Sequence, residues 1–461
     1  MRAKPPWPSS SPAMPFARQH TRPRSLTVAM DLWKNRTSSS TSAGRSSWSI
    51  RWKARECRRR SSFPRPVNPR GHDAGTTLMD FAFTPAHERF QADLQEFCRK
   101  EVTSGLFSEM KEAGEEHHPG FYRKLAERGW IGLQWPREYG GRALDNLHTT
   151  IFFEEMEYAF APLGRYRGSV VFVGQSILAF GNEEQKRYFL PRIARGDLTC
   201  CWLLSEPNAG SDAAAIQLRA EEEGDDYVLN GQKIFTSGAH ASDYGMVAAR
   251  TDPGASNKYA GISLFLVPMN SPGLTIRPLW TIGGWRVNQE FFDSVRVPRT
   301  AMLGEKNTGW QNITRYTLNF ERAANAKTGT LLRLSDELIE YLKTARYAAG
   351  DRVRHRLAEL RAEIIACRWL GYKVAWLYDQ GLTPTSESSM IKALTVDLLY
   401  KLANLGSDIL GYAGLLRGRE APLEGHVEFL LRSIWFHLVG GGAPDIQRNI
   451  IALRGLGLPR E

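Results

Sequence analysis

The sequence predicts an α+β fold: an all-helical N-terminal domain, a middle β-barrel-like domain and a C-terminal four-helix bundle. Three observations predict it. Apolar residues recur at helical spacing up to about Arg195, short strand-like runs separated by turn residues fill Cys200 to Leu303, and long helical periodicity returns after Gly309. The expected boundaries are 1–78 for a basic extension, 79–198 for the first helical domain, 199–308 for the β domain and 309–461 for the last helical domain.

The first element is announced by Thr84-Pro85, a helix N-cap followed by proline at the first helical position, with Phe90, Leu94 and Phe97 on one face behind it. Phe121–Ala126 and Thr149–Tyr158 continue the helical pattern on either side of the loop Trp135–Gly141. Strands are expected at Tyr227–Leu229, Gln232–Thr236, Met246–Ala249, Ile262–Val267 and Phe291–Val297, with turns at Pro253-Gly254 and Pro272-Gly273. The acidic run Glu221–Asp226 reads as a solvated turn. The closing helices are expected at Trp310–Tyr341, Arg352–Asp379, Ser386–Leu405 and Phe429–Phe436.

The chain has 461 residues, 42% of them hydrophobic and 24% charged, which is enough to bury a core in two or three domains. Its formal charge is +11, but residues 1–78 hold 13 Arg and 3 Lys against Asp31, Glu56 and Asp73, so the remainder is nearly neutral. A basic nucleic-acid surface on the body is therefore not expected. The 78-residue extension is rich in Arg, Ser and Pro. Translation starting at Met79 is the preferred account of it, with a mitochondrial transit peptide as an alternative opposed by the prolines at 5, 6, 8, 12 and 15. Five cysteines without CxxC spacing fit a reduced compartment, and no segment has the apolar length of a membrane span. The histidines at 117, 118, 240, 355, 426 and 437 show no metal-ligand spacing, and solvated or capping roles are expected for them.

Two segments carry the chemistry: SEPNAGSD, Ser205 to Asp212, and NGQKIFTSGA, Asn230 to Ala239. Small residues let the backbone approach a planar ring, and their N–H and O–H groups can meet its polar edge. With WPREYGG at Trp135–Gly141, GNEEQKRYFLPRIARGD at Gly181–Asp197, DILGYAGL at Asp408–Leu415 and APDIQRNIIALRGLGLPR at Ala443–Arg460, the chain resembles the acyl-CoA dehydrogenases from about Met79 to Pro459. The resemblance implies bound FAD. It implies that Trp202, Leu204 and Ser205 lie along the flavin, that Ser211 bonds its edge or the pyrophosphate, and that Phe235 stands where the family usually has Trp. Ser237 would supply the hydroxyl at N5. Asp408, Gly411 and Gly414 belong to the segment that, in the family, reaches a neighbouring subunit's FAD, although Asp408 replaces the usual Gln. The family's Arg-x-x-Phe-Gly element has no match, and Asp351–Leu360 occupies its region.

The implied reaction needs a carboxylate to take an α-proton from the thioester while the β-hydrogen leaves as hydride to the flavin. The commonest family position for it, seven residues before Arg448, holds Gly441 within Gly440-Gly441-Gly442. A second family solution places Glu before Arg on a C-terminal-domain helix, and Glu321-Arg322 stands there. Glu321 is thus the expected base, with Arg322 orienting it. The Gly441 N–H is expected to help hold the thioester oxygen, and the glycine leaves room for a bulky or branched acyl group. The expected function is acyl-CoA dehydrogenation in the cytoplasm, or in the mitochondrial matrix if the extension is a transit peptide. Electrons would pass to an electron-transfer flavoprotein, and the enzyme would be a homo- or hetero-tetramer. The alternatives are a catalytically degenerate subunit of a hetero-oligomer and a flavoenzyme of the same fold with another specificity.

Overall fold

The computed structural model describes residues 82–459, apart from Asn325 and residues 345–349; the expectations for residues 1–78 lie outside the described residues. Thr84 caps α1 (Pro85–Glu101) in a reciprocal box with His87, which satisfies backbone donors that a helix start leaves free. Helices α2 (Ser104–Ala113), α3 (Pro119–Glu127) and α4 (Asn146–Tyr158) follow. The next helix, α5, begins at Gly164–Tyr166, widens into a π-helical stretch at Arg167–Gly174 and closes as Gln175–Phe180. Last in this group is α6 (Glu183–Ala194), which Asn182 and Gln185 cap reciprocally. Phe90, Leu94, Leu125, Trp135, Ile151, Phe152 and Tyr166 are buried together at their centre.

The middle of the chain forms eight strands: β1 (Cys200–Leu203), β2 (Arg219–Glu223), β3 (Asp226–Ser237), β4 (Tyr244–Arg250), β5 (Ile262–Pro268), β6 (Leu274–Trp280), β7 (Arg286–Pro298) and β8 (Met302–Leu303). They run in the order β6-β7-β3-β2-β4-β5-β8, with β1 parallel to β4. The path does not close, so the sheet is open rather than a barrel. Four of these strands escape the sequence pattern. β1, at Cys200–Leu203, is only four residues long, β2 exposes most of a charged run, β6 carries Arg277 and Pro278 on an open face, and β8 is two residues long. The acidic run is correspondingly half strand: Glu221 to Glu223 belong to β2, and Glu222 accepts Lys306 (2.6 Å), Tyr227 (2.7 Å) and Arg299 (3.1 Å).

The expected first closing helix is two. Helix α7 runs through Gly309–Asn312, a π-helical stretch at Ile313–Thr317 and Leu318–Ala324, and α8 (Thr328–Thr344) starts anew after Lys327, whose φ of 49° no helix continues. Helices α9 (Asp351–Asp379), α10 (Thr385–Leu410) and α11 (His426–Val439) complete a four-helix packing with α8 around Leu331, Ile364, Leu398, Leu402 and Ile434. The chain ends on α12 (Pro444–Ile450) and a π-helical turn at Ile451–Gly455. Gly329 on α8 meets α4 so closely that an added Cβ would lie 2.0 Å from the Glu154 carbonyl oxygen. Across the same boundary Arg368 of α9 grips Glu154 of α4, with Nε 2.8 Å and 2.9 Å from the two carboxylate oxygens and Nη2 2.6 Å from one of them. No helix among the described residues is long and apolar enough to cross a membrane.

Candidate active site

One end of the site is a polar shelf on the sheet. Trp202 and Leu204 continue β1 into the loop that carries Ser205 to Asp212, and a single carboxylate anchors this loop from below. Glu206, 7% exposed, accepts the backbone N–H groups of Gln217 (2.6 Å) and Leu218 (2.9 Å) and the ammonium of Lys233 (2.8 Å). Lys233, fully buried in β3, also donates to the Leu204 carbonyl (3.0 Å), and the Ile234 N–H donates to that of Ser205 (3.0 Å). Both segments singled out in the sequence are thus tied together through their buried faces. Burial brings the Lys233 pKa down to about 8 and raises that of the neighbouring Glu290 to about 7.

The opposite face of the same segments is open. A bulge in β3 gives Phe235 a φ of 66° and leaves its ring 58% exposed, between the half-buried Ile234 and the buried Thr236 that hold the register with β7. Ser211 and Ser237 are exposed and Ser205 half-buried, and their hydroxyls have no hydrogen-bond partner among the described residues. Exposed hydroxyls without partners beside an outward aromatic fit a flat, hydrogen-bonding ring system such as a flavin. The remaining cofactor candidates lie elsewhere: Asp408, near the end of α10, pairs with Arg356 (2.7 Å), Gly411 ends that helix at a φ of 58°, and Tyr412 beside it is 94% exposed. Arg356 belongs to the segment that replaces the missing Arg-x-x-Phe-Gly element.

The second centre is formed by two segments far apart in sequence. Gly441, after α11, has a φ of 73°, and a Cβ built there would lie 3.5 Å from Oε1 of Glu321 on α7 and 3.7 Å from Cε of Lys392 on α10. The two alternative base positions therefore face one another. Glu321 is half-buried, and burial raises its carboxyl above the ordinary range, against the opposing pull of Lys392 and Arg322. Arg322 is buried, but its guanidinium bonds Asn319 (3.2 Å) rather than forming an ion pair with Glu321. The Gly441 N–H makes no hydrogen bond among the described residues.

Lys392 is the residue that sequence reasoning missed. It is 3% exposed, donates to the His437 carbonyl (2.6 Å), and burial lowers its pKa to about 8. The available signal was one cation on the otherwise apolar or small face Ile391, Thr395, Val396, Leu398 and Leu399. Phe320 and Ile391, the chain neighbours of Glu321 and Lys392, line a cavity between α4, α5, α9 and α10. Phe320 stacks on Tyr378 there, with ring centroids 4.9 Å apart.

The histidines divide. His118 caps α3 by accepting the Phe121 N–H (3.1 Å), as expected, whereas His426 is buried against Glu337 (3.0 Å) and burial holds His437 well below the usual imidazole range. His87, Asp145 and His148 bring three possible metal-ligand atoms within 4.8 Å of one another. Because the Thr84 N–H can only donate to His87 Nδ1 (3.3 Å), the His87 proton sits on Nε2 and is given to Asp145 (3.0 Å), which also caps α4. That bonding accounts for the trio as a capping network.

Comparison with known proteins covers both centres. The models of the acyl-CoA dehydrogenase N-terminal, middle and C-terminal domains match residues 84–197, 201–295 and 307–456. Acyl-CoA dehydrogenase FadE26 of Mycobacterium tuberculosis is 33% identical over 401 residues, spanning 83% of this chain and 99% of its own. Acyl-CoA dehydrogenase IpdE1 of the same organism is 34% identical over 390 residues, 81% of this chain and 98% of its own. Among solved structures, the Tcur3481-Tcur3483 steroid ACAD superposes with a TM-score of 0.77 at 32% identity, covering 83% of this chain and all of that one. The ChsE4-ChsE5 complex from Mycobacterium tuberculosis gives 0.76 at 32% identity over the same shares.

Proposed function

The chain belongs to the acyl-CoA dehydrogenase family, and from that premise we propose that Glu321 is the base of an FAD-dependent oxidation of an acyl-CoA thioester between Cα and Cβ. The observation that carries this is the carboxylate of Glu321 lying against Gly441. The place left empty by the glycine is reached by an acid from α7, so a proton-accepting group stands at the same spot by another route. Bound FAD supplies the hydride acceptor. The Ser205–Asp212 loop and the bulge at Phe235 to Ser237 would hold its ring, with Trp202 and Leu204 alongside and Ser237 and Ser211 as hydroxyl donors.

Glu321 takes the α-proton, and its raised pKa makes it a stronger base than an exposed carboxylate. Lys392 keeps it ionised when the acyl group has displaced water. The free N–H of Gly441 is placed to bond the thioester oxygen as negative charge develops, and Arg322 contributes through its field rather than by contact. Asp408, Gly411 and Gly414 are assigned to a cofactor across a subunit boundary on the resemblance alone. A degenerate subunit is the less favoured reading, because a carboxylate occupies the acyl site.

The neighbours Tcur3481-Tcur3483 and the ChsE4-ChsE5 complex are two-component assemblies, which supports a hetero-oligomer for this chain as well, of tetramer size. The name steroid ACAD for the first supports a bulky acyl group. An electron-transfer flavoprotein is the proposed acceptor, and cytoplasm the proposed compartment, in keeping with buried free thiols at Cys98, Cys200, Cys201 and Cys367. The decisive experiment is anaerobic mixing of the holoprotein with acyl-CoAs while flavin absorbance is followed. Bleaching is expected with the unaltered chain and a loss of about a hundredfold or more in its rate with Glu321→Gln; undiminished bleaching in that variant would remove Glu321 from the reaction.

A further inference from the structure

The cavity beside Phe320 contains polar groups that the protein itself leaves unsatisfied. Gln175 is 7% exposed, yet among the described residues its side-chain nitrogen has no hydrogen-bond partner, and the buried hydroxyl of Thr149 has none either. Both residues line the cavity. The buried Tyr378 hydroxyl, also in the lining, has no partner among the described residues either, whereas other polar neighbours are engaged. Thr150 donates to the Asn146 carbonyl (3.0 Å), the Asn146 amide donates to Asp379 (2.7 Å), and Ser176 pairs with Thr317 (2.9 Å). At another wall, Glu154 is bonded by Arg368 and by the Tyr372 hydroxyl (2.9 Å). The rest of the lining is chiefly apolar, including Phe153, Val170, Val171 and Val374. A donor buried without an acceptor is costly, so a ligand that brings the acceptor binds better than one that does not.

We propose that the acyl group accepted by this protein carries an oxygen acceptor, a carbonyl or a hydroxyl, beyond the reacting carbons, and that Gln175 and Thr149 bond it. The proposal rests on the acyl-CoA reading above. A plain hydrocarbon chain would leave both groups unpaired in a chiefly apolar cavity, whereas an oxygenated ring or chain would satisfy them. Discrimination follows from the penalty for unpaired groups, which makes a site built to hydrogen-bond reject the analogue that lacks the partner.

The test is calorimetric titration of the oxidised holoprotein with two product thioesters of equal skeleton, 3-cyclohexylpropenoyl-CoA and its ring-oxo analogue, whose Cα–Cβ bond is already oxidised. The oxo compound is expected to bind about tenfold more tightly, and the ratio is expected to approach one in Gln175→Leu and to shrink in Thr149→Val. Equal affinity of the unaltered protein for the two, or a preference that both variants leave intact, would overturn the proposal and leave the dehydrogenase reading standing. Binding of neither thioester would remove both. Because binding is read without turnover, failure of Glu321 as the base appears separately, as bleaching that survives in Glu321→Gln.

Discussion

At the scale of single residues the proposed acyl site is a balance between burial and one cation. Burial raises the Glu321 carboxyl, and Lys392 is the leading influence in the other direction. As the proposed base, Glu321 would work only when ionised, so turnover should rise with pH through its folded pKa. Removing the cation in Lys392→Met raises that pKa further, and the acid limb of the kcat/KM profile should move to higher pH; a profile that stays in place would show that Lys392 is only a packing residue. The contact at Gly441 yields a second expectation. Gly441→Glu alone places a second carboxylate on Glu321 in a left-handed backbone, and should lower activity through repulsion and strain. Combined with Glu321→Gly, the same substitution should restore part of the bleaching lost in the single Glu321→Gly variant, since either backbone then presents one carboxylate to one place. The sequence made Glu321 and Gly441 legible as alternatives. It could not reveal Lys392, whose importance comes from a helix crossing rather than from its neighbours in the chain.

At the scale of elements, the loop that carries Ser205 and Ser211 depends on β3 beneath it. Glu206 receives two backbone donors and Lys233, so Lys233→Met should leave a buried carboxylate short of its cation and cost about 3–5 kcal/mol. FAD content after purification should fall with it, which absorbance against protein concentration would measure. Glu290 on β7 gives the sheet a pH dependence. Its pKa is raised from 4.5 to about 7 by burial, so the folded state keeps a proton that the unfolded state has already lost across that window. Stability therefore falls as pH rises through it, by roughly 3 kcal/mol. Glu290→Gln should flatten that fall, so the variant gains on the unaltered protein from about pH 5 to about pH 8 in denaturant melts; parallel curves would exclude Glu290 as the cause.

At the scale of the whole molecule, the helices that precede the sheet and those that follow it together line the proposed acyl cavity. The close approach at Gly329 and the Arg368–Glu154 grip both join α4 to the C-terminal helices. Breaking the grip in Arg368→Met strands Glu154, which is 4% exposed, and should destabilise the fold by about 3–5 kcal/mol while leaving the sheet's own contacts intact. Thermal melts and the acyl-chain profile of the variant would check this, because the same pair lines the cavity proposed to hold the acyl group.

The sequence by itself determined the order helices, sheet, helices, because periodicity and turn residues are local properties, and it determined the family, because several separated motifs agree. It also singled out Glu321 and the two segments proposed to hold the flavin. The open sheet path was decided only by tertiary pairing: β2 is a strand because β3 and β4 lie beside it, whatever its charges suggest. The break at Lys327, the burial of Lys392, and the unpaired Gln175 and Thr149 were decided there too. Each depends on which surfaces meet in the fold, and a contact made only by folding leaves no spacing in the chain to read.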